Sequence, residues 1–262
     1  MVRGLYTAAA GMNVQQNNID VTSNNIANVN TTAFKKDRAE FADLMYQSLN
    51  YTANATSENT NNPTGIDVGL GVRISGVQKS FIQGSLKQTG NDLDIAIQGK
   101  GFFQITKPDG EVAYSRNGSF KKDVDGALVN AQGFKLSPEI VIPNNLTNVS
   151  IAQDGTVSAM NPTDGVITQL GQITLVDFVN SAGLSPAGNS LYNTTSTSGD
   201  PIEGNPGTLA FGSLQQGMLE SSNVQLVNAM VDLITAQRAY EANSKSLTTT
   251  DQMLQQVNQL KR

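Results

Sequence analysis

A chain of 262 residues is long enough to bury one large core or two modest ones, so its length excludes no class of globular protein. The chain contains no His, Cys or Trp, and this removes imidazole bases, thiolate nucleophiles, soft metal ligands and disulfides from its chemistry. The net charge of -5 is mild, and no basic stripe is present to neutralise nucleic-acid phosphates. We therefore expect no nucleic-acid binding, no metal and no other cofactor.

The acidic surplus lies in the middle of the chain. Between Met1 and Met45 the basic and acidic side chains balance, and they balance again from Leu214 to Arg262. The segment from Met1 to Asn18 lacks the continuous apolar run of a cleavable signal peptide. No stretch approaches the ~20 apolar residues that a membrane helix needs. We expect a protein that is not inserted in a membrane and that, if exported, keeps its N-terminus.

The N-terminal segment carries apolar residues at intervals of seven. These residues are Leu5, Met12, Ile19 and Ile26. Such a stripe is typical of a helix that packs lengthwise on another helix. The stripe is narrow, because Ala, Gln, Thr and Ser occupy the positions beside it, so this helix cannot bury a broad face alone. Asn28 and Asn30 are predicted to end the helix, since Asn tolerates the left-handed conformation found after helix C-termini.

The middle of the chain has the texture of β structure. Four Asp-Gly pairs, at residues 109–110, 125–126, 154–155 and 164–165, mark hairpin turns between short alternating or apolar runs. The stretch from Asn180 to Gly207 is predicted to be a loop or a weak hairpin. The segment from Gln47 to Gly65 is polar and cannot form a core by itself.

The C-terminal segment shows the strongest periodicity of the chain. Its heptad positions are Leu219, Leu226, Leu233, Tyr240, Leu247 and Leu254. At about 1.5 Å per residue this helix would span roughly 60 Å, longer than a compact domain needs, so we expect it to pack lengthwise. The sequence thus predicts an α+β fold in which long N- and C-terminal helices flank a central β-rich region of short strands and hairpins.

Four regions follow from these patterns. They are an N-terminal helical region (1–45), a polar connecting segment (46–75), a β-rich outer domain (76–211) and a C-terminal helical region (212–262).

Three local patterns resemble functional motifs without completing them. Gly99 and Gly101 flank Lys100, but the spacing of a phosphate loop is absent. The run Asp123–Gly126 lacks the later oxygen ligands of a calcium loop. Asp92 and Asp94 form a carboxylate pair, yet no recognisable second group would tune their pKa values. We predict no catalytic residue, and a carboxylate hydrolase that uses Asp92 and Asp94 is the enzyme alternative.

Two terminal segments resemble the signatures of the flagellar axial family of rod and hook proteins. The matching positions are Asn24, Asn25, Asn28, Asn30 and Phe34 near the N-terminus, and Asn223, Gln237, Arg238, Tyr240 and Asn243 near the C-terminus. The central sequences NDLDIAIQGKGFFQ, YSRNGSF and GALVNAQGF are similar to the first β domain of that family. One departure is Ala33, because a Gly is frequent before the aromatic residue in relatives; we expect the change to alter a turn.

The resemblance implies a structural subunit and not an enzyme. Terminal helices from many copies would form a coiled-coil-like D0 domain around an export channel, with the β-rich D1 domain outside. The heptad residues of both stripes would then be subunit-packing residues. The implied partners are copies of the chain itself, other rod subunits, hook or junction proteins, and the periplasmic and outer-membrane rings. The implied location is the basal body, spanning periplasm to outer membrane, reached by type III export without a cleaved signal.

Within that family, RAEFADLMYQ followed by the polar stretch to Gly65 is similar to the distal-rod members, which transmit motor torque to the hook. A proximal-rod or hook-like subunit is the alternative inside the family. Outside it, a secreted β-rich adhesin or capping module remains open, and such a protein would form small closed oligomers instead of filaments.

Overall fold

The computed structural model describes residues 2–50, 55–57, 60–61, 66–162, 165–208 and 210–260. The chain divides into two units, each of which has its own contacts. The helical unit consists of Met1–Ala27, Asp37–Lys79 and Gln225–Arg262. The β unit consists of Asn28–Lys36 and Ser80–Val224. The predicted α+β fold is confirmed, while the four predicted regions, taken as domains, stay a prediction.

The helical unit contains two long helices and a narrow β ribbon. The helices are α1 (Val2–Ala27) and α2 (Leu226–Leu260). The strands are β1 (Asp37–Asp43), β2 (Tyr46–Asn50), β3 (Ala55–Ser57), β4 (Thr60–Asn61), β5 (Ile66–Gly69) and β6 (Val72–Lys79). They pair antiparallel as β1 with β6, β2 with β5 and β3 with β4. No helix among the described residues is long and apolar enough to cross a membrane.

The end of α1 agrees with the prediction, since the helix stops at Ala27, directly before Asn28. The rest of region 1–45, whose bounds as a domain stay a prediction, is not helical. Residues Asp37–Asp43 form β1 instead, because a bulged antiparallel register joins them to β6. The ribbon packs on α1, where Val14 is buried. Gly71 permits this close packing: its φ is 115°, and a Cβ there would lie 3.4 Å from the Cβ of Ala10.

Among its described residues, the β unit has sixteen short strands. They are β7 (Leu86–Gln88), β8 (Ile95–Gln98), β9 (Phe103–Thr106), β10 (Val112–Ser115), β11 (Lys121–Lys122), β12 (Leu128–Val129), β13 (Lys135–Ser137), β14 (Thr147–Ile151), β15 (Thr156–Met160), β16 (Ile167–Gln172), β17 (Leu175–Asp177), β18 (Ser185–Gly188), β19 (Leu191–Asn193), β20 (Ile202–Gly204), β21 (Ser213–Gln216) and β22 (Met218–Glu220). A single 3₁₀ turn occupies Ser181–Gly183.

These strands form one larger sheet and several small ones. The larger sheet has seven strands in the order β11-β12-β13-β9-β10-β19-β18. A three-stranded sheet has the order β14-β15-β16, and β7 pairs with β22, β8 with β21 and β17 with β20. Three predicted hairpins are confirmed, because β9–β10, β11–β12 and β14–β15 flank their Asp-Gly turns. In the fourth pair, Asp164 lies outside the described residues. The stretch 180–207 holds the hairpin β18–β19, whose second strand joins the large sheet.

The core of the β unit is apolar. Its buried residues include Ile95, Ile97, Phe103, Phe120, Leu128, Leu136, Ile140, Ile142, Val157, Ile173, Leu175 and Leu214. The rings of Phe103 and Phe120 meet edge to face at 5.2 Å between centroids, an arrangement that aromatic pairs favour. Leu214 brings residues of the predicted C-terminal helical region into this core.

The predicted helix from Leu219 onward is therefore wrong at its start. Residues 213–220 form β21 and β22, separated by Gly217, whose φ of 71° suits a tight turn. Leu219 lies in β22 opposite Lys87, and α2 begins only at Leu226. The heptad interval between Leu219 and Leu226 is not helical, because pairing with β7 and β8 determines the conformation of this segment.

Three buried charged side chains meet beside that turn. One carboxylate oxygen of Glu220 accepts hydrogen bonds from the Lys35 ammonium at 2.5 Å and from the Gly84 backbone N–H at 2.8 Å. Its other oxygen accepts from Nε of Arg116 at 2.9 Å. The side chains of Lys35 and Glu220 are fully buried, and that of Arg116 is 4% exposed. We call these three residues the ion cluster.

The ion cluster holds two cations and one carboxylate, so one positive charge is left over. Backbone carbonyls solvate that charge: Ile82 accepts from Lys35 at 2.9 Å, and Gly99 and Gly101 accept from Arg116 at 2.7 and 2.9 Å. Burial lowers the pKa of Lys35, and the adjacent Arg116 acts in the same direction, whereas Glu220 opposes the shift. The ammonium is thus held in place by its hydrogen bonds against a desolvation penalty.

Replacing Glu220 with Gln should lower the free energy of unfolding by about 3 to 5 kcal/mol, because it leaves two buried cations without a counter-charge. Glu139→Gln is the matched control, since Glu139 pairs with Lys135 at the surface and such pairs contribute less than about 1 kcal/mol. Lys35→Met should lower the free energy of unfolding by less than Glu220→Gln does, because it leaves the pair of Arg116 and Glu220 with balanced charge. Urea unfolding followed by circular dichroism measures all three. Equal losses for the two Glu variants would contradict the assignment.

Candidate assembly interface

In the helical unit, α1 packs against α2 along its length. The less exposed positions of α2 recur at intervals of four and three residues. They are Ala229, Leu233, Ala236, Ala239, Asn243, Leu247, Thr250 and Leu254, with Ser244 beside Asn243. Ala236 is only 3% exposed, which marks the centre of this row. The row has the spacing of a coiled-coil seam, and it is filled with small and polar residues as well as Leu.

A glycine and an amide set how closely the two helices approach. A Cβ at Gly11 would lie 2.8 Å from the side-chain nitrogen of Asn243, closer than real contacts allow. Asn243 is one of the residues predicted from the family signature, and the structure places it in the seam between the helices. Because Gly11 has no side chain, the backbone of α1 can lie close to Asn243 of α2 at this crossing.

The predicted stripe residues of α1 are not the most buried positions of this helix. Leu5, Met12, Ile19 and Ile26 are all half-buried. The positions that α1 buries fully are Ala8, Val14, Thr22 and Asn25. These four buried side chains are smaller and more polar than the four predicted ones, which fits a helix with a narrow apolar face.

The C-terminal stripe is divided in the same way. Leu233, Leu247 and Leu254 are half-buried in the seam, whereas Leu226 and Tyr240 are exposed. Within one chain, then, the seam of α2 faces α1. Whether these residues also pack between subunits is a prediction that the single chain does not test.

A second apolar row on α2 was missed by the heptad pattern. Val227, Met230, Val231 and Ile234 are 73%, 46%, 53% and 49% exposed. Their spacing of i, i+3, i+4 and i+7 places them on one side of the first turns of α2. This spacing is visible in the sequence, although it does not follow the sevenfold repeat of the Leu residues. We call these four residues the exposed row.

The β ribbon of the helical unit also exposes apolar side chains. Phe41, Met45, Tyr46 and Val77 are all exposed along it. A two-stranded ribbon with unpaired edges is seldom stable alone, so packing on α1 supports it from one side. The polar segment from Gln47 to Gly65 contributes most of β2 and all of β3 and β4 to this ribbon, and its other residues lie outside the described residues. Whether the segment contacts neighbouring subunits stays a prediction.

The signature asparagines support backbone segments. The side chain of Asn25 donates to the Asp37 carbonyl at 2.7 Å and accepts from the Asp37 N–H at 2.8 Å, so it acts as a strand partner for β1. The side-chain nitrogen of Asn24 lies 3.4 Å from one carboxylate oxygen of Asp37, and the other oxygen pairs with Lys79. Asn28 accepts from Thr31 in the turn that follows α1.

Asn223 plays the matching role in the β unit. Its oxygen accepts from the Lys36 N–H at 2.8 Å, and its nitrogen donates to the carbonyls of Ser80 and Ile82 at 2.8 and 2.9 Å. The backbone carbonyl of Phe34 accepts from Asn223 N–H as well. One amide side chain therefore joins three segments of the β unit. The remaining signature residues Asn30, Gln237 and Arg238 are exposed, and their roles stay a prediction.

Ala33 occupies a position that suits glycine. Its φ is 58°, in the left-handed region, and it is buried, with its N–H donating to the Glu220 carbonyl at 2.8 Å. A Cβ in this region costs roughly 1 to 2 kcal/mol. The turn is thus formed by Ala33 in a left-handed conformation.

The weaker motifs have structural roles in the β unit. Asp94 is buried and accepts from the side chain of Asn91, while Asp92 is exposed, so the two carboxylates do not converge on one site. The carbonyls of Gly99 and Gly101 solvate Arg116 of the ion cluster. The run Asp123–Gly126 is the turn between β11 and β12.

Three family models match the chain, and together they cover both of its ends and part of the β unit. The model described as a flagella basal body rod protein matches residues 5–35. The D1 domain of the flagellar hook protein FlgE/F/G matches residues 96–159. The C-terminal region of the flagellar basal body rod FlgEFG protein matches residues 215–260.

Curated relatives match over the whole chain. The flagellar basal-body rod protein FlgG of Borreliella burgdorferi is 47% identical over 264 residues and covers 100% of both chains. FlgG of Buchnera aphidicola from Acyrthosiphon pisum is 45% identical and covers 99% of this chain and 100% of its own. A solved hook protein, FlgE2 of Helicobacter pylori, is 16% identical with a TM-score of 0.26, covering 71% of this chain and 43% of its own. That last likeness is too low to support an argument. The chain belongs to the FlgG family of flagellar basal-body rod proteins.

Proposed function

We propose that the chain is a structural subunit of the flagellar distal rod that assembles with copies of itself into a helical tube. The tube would transmit motor torque to the hook and enclose the export channel. The observation that carries this proposal is the exposed row of α2, since four neighbouring apolar side chains on one helix face call for a partner surface.

The energy available from this surface is substantial. Burying a large apolar side chain stabilises by about 1.5 to 3 kcal/mol when exposure is lost completely. The side chains of the exposed row are already partly covered, and ordering them opposes the gain. Four such contacts still supply several kcal/mol per subunit, and a filament repeats them in every subunit.

Charge does not oppose close packing of α2 with its copies. Between Leu226 and Leu260 the charged residues are Asp232, Glu241, Asp251, Arg238 and Lys245. Their charges nearly cancel, whereas faces of one sign would repel when brought together. Neutral helices suit repeated contacts between identical subunits.

The proposed setting follows from the family. The partners would be other rod subunits, hook or junction proteins and the surrounding periplasmic and outer-membrane rings. The chain would reach the basal body without a cleaved signal and span periplasm to outer membrane there. It would not act as an enzyme, and Asp92 and Asp94, one exposed and one buried, do not converge on one site.

Val231→Asp should abolish filament formation while leaving the monomer folded, because Val231 is exposed in the single chain and would be buried only between subunits. Val231→Ile is the control, since it keeps the row apolar. Electron microscopy and sedimentation of the purified protein measure assembly, and circular dichroism measures folding. Normal filaments of Val231→Asp would show that the exposed row is not an interface. Small closed oligomers of the unmodified protein would favour the adhesin alternative.

Leu233→Asp should impair folding of the helical unit before assembly begins. Leu233 lies in the seam toward α1, so a carboxylate there lowers the stability of the helical unit by several kcal/mol as well as blocking assembly. Leu233→Met conserves volume and should cost less than about 1.5 kcal/mol. Swimming of a complemented rod-deficient strain, together with thermal unfolding of the purified variants, separates the two effects. Normal swimming of Leu233→Asp would contradict the role of the seam.

Deleting residues 47–65 should soften or bend the shaft without stopping assembly. The reason is that the polar side chains of this segment, if they pack between copies, must find hydrogen-bond partners on those copies, and a buried unpaired polar group costs about 1 to 3 kcal/mol. The measurement is the curvature of filaments seen by electron microscopy. Straight, rigid filaments of the deleted protein would refute the stiffening role.

A further inference from the structure

We propose that residues 213–220, which form β21 and β22, act as a latch that must be in place before the β unit can close. The latch consists of the last strands of the β unit in chain order. Its effect on folding does not depend on what the protein does. Only its consequence for export rests on the proposed function.

The latch pairs with two strands from the first part of the β unit, and each of these strands has a latch strand as its one partner in its sheet. β8 pairs with β21, and β7 pairs with β22, each in a sheet of two strands. Leu214 lies opposite Ile97 and is buried in the apolar core. Without the latch, two strands from the first part of the β unit and one side of the core would face water.

Further hydrogen bonds tie the latch to segments that lie far apart in the chain. The Gly217 N–H donates to Asp94 O at 2.8 Å, and the side chain of Gln216 donates to Val149 O at 2.7 Å. The Glu220 carbonyl accepts from Ala33 N–H at 2.8 Å. These bonds connect the start, the middle and the end of the β unit, so the latch closes several long loops at once.

The fit around the latch is close. A Cβ at Gly84 would lie 2.1 Å from the carbonyl oxygen of Ser221 and 3.1 Å from its carbonyl carbon. Backbone approaches backbone here with no side chain between them. Such a contact leaves no intermediate position in which the latch is loosely seated, which favours a single closing step.

The ion cluster links this step to the rest of the β unit. Glu220 is 185 residues from Lys35 and 104 residues from Arg116 in sequence. Until the Glu220 carboxylate arrives, burial of both cations would remove them from water without a counter-charge, which is strongly unfavourable. The segments that carry Lys35 and Arg116 therefore stay hydrated until the latch is seated.

This arrangement delays closure until nearly the whole chain is available. A chain that passes through a narrow channel from its N-terminus would release the latch only after the first 212 residues had passed. The β unit would remain open during that passage. Export without a stably folded β unit would then follow from the position of Glu220 in the sequence.

The absence of Cys from the chain makes a direct test possible, since a single introduced thiol reports opening at one site. Ala96→Cys places the thiol in β8, opposite the latch, and Ala113→Cys places it in β10 of the seven-stranded sheet. Both positions are fully buried. The full chain is refolded from urea at low concentration, and a maleimide pulse measures how fast each thiol becomes protected.

We expect both thiols to become protected at the same rate. In a Glu220→Gln background both rates should fall at least tenfold, and in Glu139→Gln they should be unchanged. Glu220→Asp keeps the charge with a shorter reach and should give an intermediate effect, which tests the idea even if Glu220→Gln does not refold. Protection of Ala113→Cys at an unchanged rate in the Glu220 variants would show that the large sheet closes without the latch and would overturn the proposal. Because neither assembly nor motility enters this measurement, its failure would leave the proposed function untouched.

Discussion

The β unit depends on one carboxylate that stands between two buried cations. Glu220 brings together Lys35 from the start of the unit, Arg116 from its middle and its own strand from the end. Hydrophobic burial alone would not determine which segments meet at this point, because apolar contacts are not directional. Hydrogen bonds with fixed donors and acceptors are directional, and here they determine which segments of the chain lie side by side.

The same use of directional polar groups recurs at smaller scale. The side chain of Asn25 forms hydrogen bonds with both the N–H and the carbonyl of Asp37, and that of Asn223 forms hydrogen bonds with three backbone groups of the β unit. An amide side chain offers a donor and an acceptor in the geometry of a peptide group, so it can replace a missing strand. Irregular connections are held in this way without adding apolar bulk. These connections are therefore held by polar side chains, whereas the exposed row of α2 is apolar.

Local patterns predicted the parts of the fold that local chemistry determines. Three Asp-Gly turns predicted hairpins and Asn28 predicted the end of α1, because turn and cap conformations depend on a few adjacent residues. Leu219 misled the prediction, since its heptad spacing from Leu226 is a coincidence that only pairing with β7 reveals. The ion cluster could not be predicted, because its members are separated by more than a hundred residues or lie in segments with no periodic signal. Of the predicted packing residues of α2, Leu233, Leu247 and Leu254 lie in the seam within the chain, and whether they also pack between subunits stays a prediction.

The exposures along α2 show how this helix divides its surface. At about 100° per residue, the seam around Ala236 and the exposed row around Val231 point roughly 150° apart on the helix. One face is thus used inside the chain and the opposite face is left for contacts outside it. A row of four side chains is small enough to keep a monomer from aggregating at random, because large contiguous apolar patches are what promote nonspecific association. If the row packs between subunits as proposed, each subunit added to a filament would gain a contact that the free subunit lacks, and this would favour growth at an existing end over association in solution.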